Sequence, residues 1–280
     1  MSYVTVGQEN GQNIDLYFED HGSGQPVVLI HGFPLNGHSW ERQEAALLDA
    51  GHRVITYDRR GFGASSKPSS GYDYDTFTAD LHALLTHLDV EGATLVGFSM
   101  GTGEVTRYIA QHGTERVRKA VLMGPIPPYL LKTDDNPEGV DGSVFEGIKA
   151  AIRQDRAAYL TEFLQNFYNA DALLGTRVSE EVLRMSWNVA ARASARATLA
   201  CVDTWLTDFR ADVDAFARTH VPTLIIHGDA DRILPFDATA ARLPALIPGS
   251  ELVVLKDGPH NILWTFAEEV NAALLSFLRK

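Results

Sequence analysis

Cysteine occurs once in the 280 residues, as Cys201, so the chain cannot close a disulfide on itself. That absence fits a reducing compartment, and a cytoplasmic location is the expectation. Basic residues are also scarce: 24 Lys and Arg stand against 36 Asp and Glu, a formal charge of -12. Phosphate backbones and anionic lipid repel such a surface, which argues against nucleic-acid and membrane partners. No run of about 18 apolar residues is long enough for a membrane span. Residues 1–8 have neither the basic start nor the apolar centre of a signal peptide. There is no His-Glu-x-x-His, and the lone thiol has no ligand-like neighbour in sequence. Neither a metal nor a cofactor is therefore expected.

What is present is apolar in short pieces. At 45% hydrophobic residues the chain can bury a substantial core, and its length reads as one large domain with an insertion. Residues 3–8 and 14–20 alternate like half-buried antiparallel strands about a polar turn, so the chain opens as a hairpin. Apolar runs at 27–30, 54–57, 93–96, 117–123, 223–226 and 251–255 read as buried parallel strands. Between them lie helical patterns such as Phe77, Leu81, Leu84, Leu85 and Leu88, or Phe266, Val270, Leu274 and Phe277. Alternation of this kind predicts an α/β fold with an eight-stranded, mostly parallel sheet flanked by helices.

Residues 125–215 break the alternation. They start with Pro125-Ile126-Pro127-Pro128 and continue helix-like and aromatic-rich through Tyr159, Phe163, Phe167, Tyr168, Trp187 and Trp205. Placed between the sixth and seventh strands, they read as a helical cap over the carboxyl edge of the sheet, where open α/β folds bind ligands. The predicted organisation is a core of residues 1–124 and 216–280 with a cap of 125–215. Within the cap, the Ala-rich piece at 190–200 reads as a plain helix.

The strand at 93–96 runs into Gly97-Phe98-Ser99-Met100-Gly101 and then into a helical run from Thr102 to Gln111. This is the strand, G-x-S-x-G, helix order of a nucleophile elbow, in which a tight turn pushes the serine hydroxyl out of the sheet edge. Glycines on either side let neighbouring backbone pass without a Cβ clash. The following helix aims its amino end at the place where negative charge would develop, making the Met100 amide one oxyanion donor. His31-Gly32-Phe33-Pro34 directly follows the strand at 27–30, where this architecture supplies its second donor, and the Phe33 amide fits that place.

A serine hydroxyl needs a base, and ten histidines compete for the role. His260, in the loop Lys256-Asp257-Gly258-Pro259-His260-Asn261 between the last strand and last helix, lies at the same sheet edge as Ser99. His31 and His227 each end a strand before a glycine and read as turn residues bonded to backbone. The base in turn needs an acceptor to hold its tautomer, and the turn Gly228-Asp229-Ala230-Asp231 offers two carboxylates. Asp231, further into the loop, is expected to orient the histidine, and Asp229 to cap the turn through its own backbone. The order Ser99, Asp231, His260 is that of the α/β-hydrolases. The charged turn Asp58-Arg59-Arg60-Gly61-Phe62-Gly63-Ala64-Ser65 reads as structural.

His31 to Pro34, Asp58 to Ser65, Gly97 to Glu104 and the Pro259-His260 loop together resemble the bacterial cofactor-free haloperoxidases, or perhydrolases. The likeness covers essentially the whole chain and includes Gly37-His38-Ser39-Trp40-Glu41-Arg42, Leu131-Lys132-Thr133-Asp134-Asp135-Asn136-Pro137 and Trp205-Leu206-Thr207-Asp208-Phe209-Arg210. It implies a Ser-His-Asp triad working without metal, haem or other cofactor. It also implies esterase activity on small ester or carboxylic acid substrates, and perhydrolysis, with hydrogen peroxide replacing water against the acyl-enzyme. A homo-oligomer, trimeric or larger, is implied as well. Pro34 goes with the perhydrolase branch and, with Trp205, is expected at the substrate pocket. Asn261 and the stretch from Pro125 to Pro128 depart from the usual pattern of the family. Two alternatives remain open at this stage: a γ-lactamase on the same triad, and a non-catalytic ligand receptor.

Overall fold

A computed structural model describes residues 2–280, and Met1 lies outside the described residues. Eight strands form one sheet: β1 (Ser2–Glu9), β2 (Gln12–Gly22), β3 (Pro26–Ile30), β4 (Arg53–Tyr57), β5 (Ala93–Phe98), β6 (Val117–Met123), β7 (Thr223–Gly228) and β8 (Glu251–Leu255). Their spatial order is β1-β2-β4-β3-β5-β6-β7-β8. β1 pairs with β2 and β2 with β4 antiparallel, and every later pair is parallel. The expected mixed sheet is thus present, opening on a hairpin. β3 and β5 are buried along their whole length because helices cover both faces, which is why they read as unbroken apolar runs.

The helices between strands of the first half are α1 (Glu41–Asp49), α2 (Tyr74–His87) and α3 (Met100–His112). Asp73 starts α2 by accepting a hydrogen bond from the Thr76 amide at 2.8 Å, the usual service of an N-cap carboxylate. Five helices follow β6: α4 (Gly142–Phe167), α5 (Ala170–Leu173), α6 (Glu180–Ala191), α7 (Ala195–Thr204) and α8 (Arg210–Thr219). α8 packs on α3, and α4 on α6 and α7. The second half adds α9 (Leu243–Leu246), α10 (Ile262–Thr265) and α11 (Ala267–Leu278). No helix among the described residues is long and apolar enough to cross a membrane.

Two local breaks were not legible as such. The Ala-rich piece at 190–200 is two helices rather than one, because the Ser194 amide donates to the Gly61 carbonyl at 2.7 Å and the Ser194 side chain caps α7. α4 bends at Asp155, whose backbone leaves the helical region with φ -156 and ψ 94. Its carboxylate accepts from the Ala158 amide at 3.0 Å and so recaps the second half of the helix.

Sheet order decides where a site can form. From β3 the chain goes first to β4 on one side and then, through α2, to β5 on the other. The carboxyl ends of β3 and β5 therefore flank the point where strand order reverses. Ile30 pairs with Gly97, which sets residues 31–33 beside residues 98–100.

Candidate active site

Ser99 follows β5 and opens α3 with φ 54 and ψ -120, a strained left-handed backbone for a side chain with a Cβ. The strain is held by close packing on both sides. A Cβ on Gly97 would stand 2.5 Å from the Gly101 carbonyl oxygen, and one on Gly101 would overlap the Ile30 carbonyl. The Ser99 amide is fixed on Met123 of the neighbouring strand at 2.8 Å. Its Oγ lies 2.8 Å from Nε2 of His260, and Nδ1 of His260 lies 2.6 Å from Oδ2 of Asp231. Nδ1 faces a carboxylate and therefore donates, which leaves Nε2 to accept the serine hydroxyl proton. Ser99 is 6% exposed, while the side chains of His260 and Asp231 are almost wholly buried.

The two loops that carry His260 and Asp231 are stitched together. The Ala230 amide donates to the Gly258 carbonyl at 3.0 Å, and a Cβ on Gly228 would collide with that same carbonyl. The rings of Phe98 and Phe167 each lie 5.1 Å from the His260 ring and fix its plane. The role expected of Asp229 in this turn needs correction, and Asp231 does more than orient the histidine. Asp229 does not cap its own turn; its Oδ1 accepts from the Asp257 amide at 2.6 Å, across to the His260 loop. Asp231 caps the turn itself, Oδ1 accepting from the Ile233 and Leu234 amides at 2.8 Å each, while Oδ2 serves the histidine. Burial alone would raise the Asp231 carboxyl. The charge of His260 and the hydrogen bonds from His227 and His260 outweigh it and hold the group well below the ordinary aspartate value.

Beside Ser99 the backbone at residues 31–33 is pinned from below. Nδ1 of His31 donates to the Gly32 carbonyl at 2.9 Å, and Nε2 accepts from the Arg59 amide at 2.9 Å. Burial, then the Arg59 charge, hold the His31 imidazole well below its ordinary value, so the ring is neutral and fits that pattern. The Arg59 guanidinium donates to the His31 carbonyl and ion-pairs with Glu104, which also receives the Tyr57 hydroxyl. His31 is thus bonded to backbone as expected, and Asp58 also ties loops together by accepting from the Gly37 and Ala64 amides. Glu104, fully buried one turn into α3, was not foreseen. The one signal in the chain is a lone acid within the run of small and apolar residues Gly101-Thr102-Gly103-Glu104-Val105-Thr106. Phe33 and Met100, the expected oxyanion donors, flank Ser99 in sequence and register, and neither amide has a backbone acceptor among the described residues.

Ser99 opens into a cavity of about 380 Å³ walled by Phe33, Ile126, Leu130, Val140, Phe145, Ile148, Ala151, Tyr159, Phe163, Trp205 and Leu234, with Glu162, Asn166 and Arg232 as its polar members. Both halves of the bent α4 contribute, which is what the break at Asp155 achieves. Trp205 lies in the cavity wall, its ring 4.7 Å from that of Phe33. Pro34, expected at the pocket, is buried and is not among the residues of the wall, where its neighbour Phe33 packs on Trp205 and Phe163.

Among the described residues the one grouping of His and carboxylates tight enough for a cation is Glu19, His21 and Glu44, on β2 and α1. Nε2 of His21 lies 3.6 Å from Glu19 and 3.9 Å from Glu44.

Residues 25–267 match the model of the α/β-hydrolase fold. A Synechocystis sp. protein named as a non-heme chloroperoxidase is 66% identical, each chain covered in full. The chain belongs to the non-heme haloperoxidase family of α/β-hydrolases. Within that family, the crystal structure of bromoperoxidase from Bacillus anthracis superposes with a TM-score of 0.94 at 49% identity, over 100% of this chain and 99% of that one. A bifunctional esterase/perhydrolase of Acinetobacter calcoaceticus is 32% identical, with both chains covered in full. This haloperoxidase-family chain is accordingly an α/β-hydrolase enzyme, as the sequence motifs led one to expect.

Proposed function

We propose that the protein is a serine esterase and perhydrolase that works through an acyl-enzyme on Ser99. The observation that carries this reading is the continuous hydrogen-bonded line Ser99, His260, Asp231 at the floor of an apolar cavity. Ser99 Oγ attacks the carbonyl carbon of an ester while Nε2 of His260 takes the hydroxyl proton. The carbonyl oxygen, now negative, is held by the Phe33 and Met100 amides. His260 returns the proton to the departing alcohol, leaving the acyl group on Ser99. Water or hydrogen peroxide then attacks this ester, giving its proton to His260, and the acid or peracid leaves as Ser99 recovers its proton.

Residues 125–215 act in this scheme as a helical cap over the sheet edge, bringing Trp205 and the α4 aromatics over the acyl group. Support for peroxide as an acceptor comes from the relatives' names, bromoperoxidase and esterase/perhydrolase. The test is Ser99→Ala assayed on an aryl acetate with and without peroxide. Turnover and peracid formation should both fall by at least about 10⁴-fold, since removal of a serine nucleophile leaves only the oxyanion site and binding. Retained esterase turnover, or failure of a fluorophosphonate to label Ser99 in the native enzyme, would sink the reading.

A further inference from the structure

A second imidazole reaches the carboxylate that holds His260. His227, wholly buried near the carboxyl end of β7, places Nε2 3.0 Å from Oδ2 of Asp231 and 3.0 Å from the carbonyl oxygen of Leu234. Both neighbours only accept, so the ring hydrogen is on Nε2. The other nitrogen, Nδ1, is buried without a partner, as a bare lone pair would be in that tautomer. The ionisable groups against His227 among the described residues are Asp231, from the loop after its own strand, and through Oδ2 His260, from the loop after β8. From the 3-10 turn Phe236–Ala238 the uncharged Phe236 ring meets it, edge to face at 5.6 Å.

The four donors around Asp231 are divided unequally. Oδ1 is saturated by the Ile233 and Leu234 amides, whereas Oδ2 faces two imidazoles, at 2.6 Å and 3.0 Å. We propose that His227 is a positioning residue for the reaction: its Nε2–H shares Oδ2 with His260, fixes the rotation of the carboxylate and takes up part of its charge. The inference rests on the reading of Ser99, His260 and Asp231 as the catalytic set. A carboxylate facing one imidazole alone would grip the imidazolium form of His260 more firmly. The enzyme would then stay protonated, and idle, to higher pH. Through the Leu234 carbonyl the same N–H also holds the end of the acid loop, so that position and charge balance are set by one group.

The test compares His227→Phe, which keeps a ring of similar size against Phe236, with His227→Gln, whose side-chain amide offers N–H near the place of Nε2. In His227→Phe, kcat for an aryl acetate should fall about ten- to a hundredfold, the range for losing one hydrogen bond to a charged group, with KM within about twofold. Its acid limb of kcat against pH should move to higher pH, and His227→Gln should return the limb and most of kcat. If His227→Phe does not fold by circular dichroism, His227→Asn, too short to reach Oδ2, takes its place against His227→Gln. An unmoved acid limb in the donor-less variant, or identical profiles for the donor-bearing and donor-less variants, would reduce His227 to packing and overturn the proposal. Full turnover by Ser99→Ala would instead remove the underlying catalytic reading, so the two failures are told apart.

Discussion

Nδ1 of His31 bonds the carbonyl oxygen of Gly32 at 2.9 Å, and that oxygen belongs to the same peptide unit as the Phe33 amide. In a trans peptide the C=O and N–H point in opposite directions, so whatever fixes the one aims the other. The Leu35 amide adds a second bond to the same oxygen at 3.1 Å. His31 therefore acts on the proposed oxyanion donor without touching substrate. His31→Phe should lower kcat for an aryl acetate by up to about 10²-fold, short of the loss from deleting an oxyanion donor outright, and leave KM nearly unchanged. A KM rise with kcat intact would show that the residue shapes binding instead.

Behind His31, the Arg59 and Glu104 side chains are 1% and 0% exposed, and each is the other's charge partner. Burying such a pair costs desolvation of both ions, but removing one member strands the other. Glu104→Leu should cost about 3–5 kcal/mol in urea unfolding, and Arg59→Met on top of it should recover a large part of the loss. Additive losses would mean that the two ions are not coupled.

Much of this arrangement was legible in the chain. The elbow, the His260 loop and the hairpin are local patterns, each read from a few consecutive residues and glycine spacing. What was hidden depends on contacts between distant segments. Asp229 and Asp231 are two residues apart in one turn, and only the folded position of Asp257 and His260 separates their tasks. Glu104 stands out as a lone acid in its run, but its partner Arg59 is identified only once the loop after β4 is packed on α3. Resemblance points to Pro34 at the pocket, whereas the adjacent Phe33 ring is the one that lines the cavity. The break in α4 at Asp155 carries no glycine or proline to announce it, since an acid three residues before Ala158 recaps a helix only if the chain turns there.

Acid should act on Asp231 in a defined direction. Its carboxyl is held below the ordinary value of 3.8 in the folded protein despite burial, because His260 and His227 favour the charged form. A depressed carboxyl contributes stability that is complete above the unfolded-state value and is lost as pH falls through the folded one. Unfolding free energies measured downward from pH 5 should therefore fall more steeply below about pH 4 for the native protein than for Asp231→Asn, in which nothing titrates at that place. Parallel curves would contradict the charge balance described for the site. The same variant should lose about 10³- to 10⁴-fold in kcat at neutral pH, because an amide no longer selects the productive histidine tautomer.

Cys201 is fully buried in α7, and burial pushes its thiol up to about 12. A thiol reagent reacts with the thiolate, so the native enzyme should show no fast reaction at pH 8, and one equivalent should react on unfolding in guanidinium. Rapid native labelling would mean that the α7 packing opens on the time scale of the assay.

Acyl preference follows from the wall of the cavity. Its side near Ser99 is apolar, from Phe33, Ile126, Phe163 and Trp205, so each methylene of an acyl chain that enters leaves water for hydrocarbon. Burial of one methylene stabilises by about 0.8 kcal/mol, which is about fourfold in kcat/KM if the contact persists in the transition state. Along a series of p-nitrophenyl esters, kcat/KM should climb by about that factor per carbon and then level once the roughly 380 Å³ are filled. Ala151→Trp, on the first half of α4 and in the cavity wall, should bring the plateau to shorter chains while leaving the acetate rate close to native. If the variant slows all esters alike, the space beside Ala151 is not where the acyl chain lies.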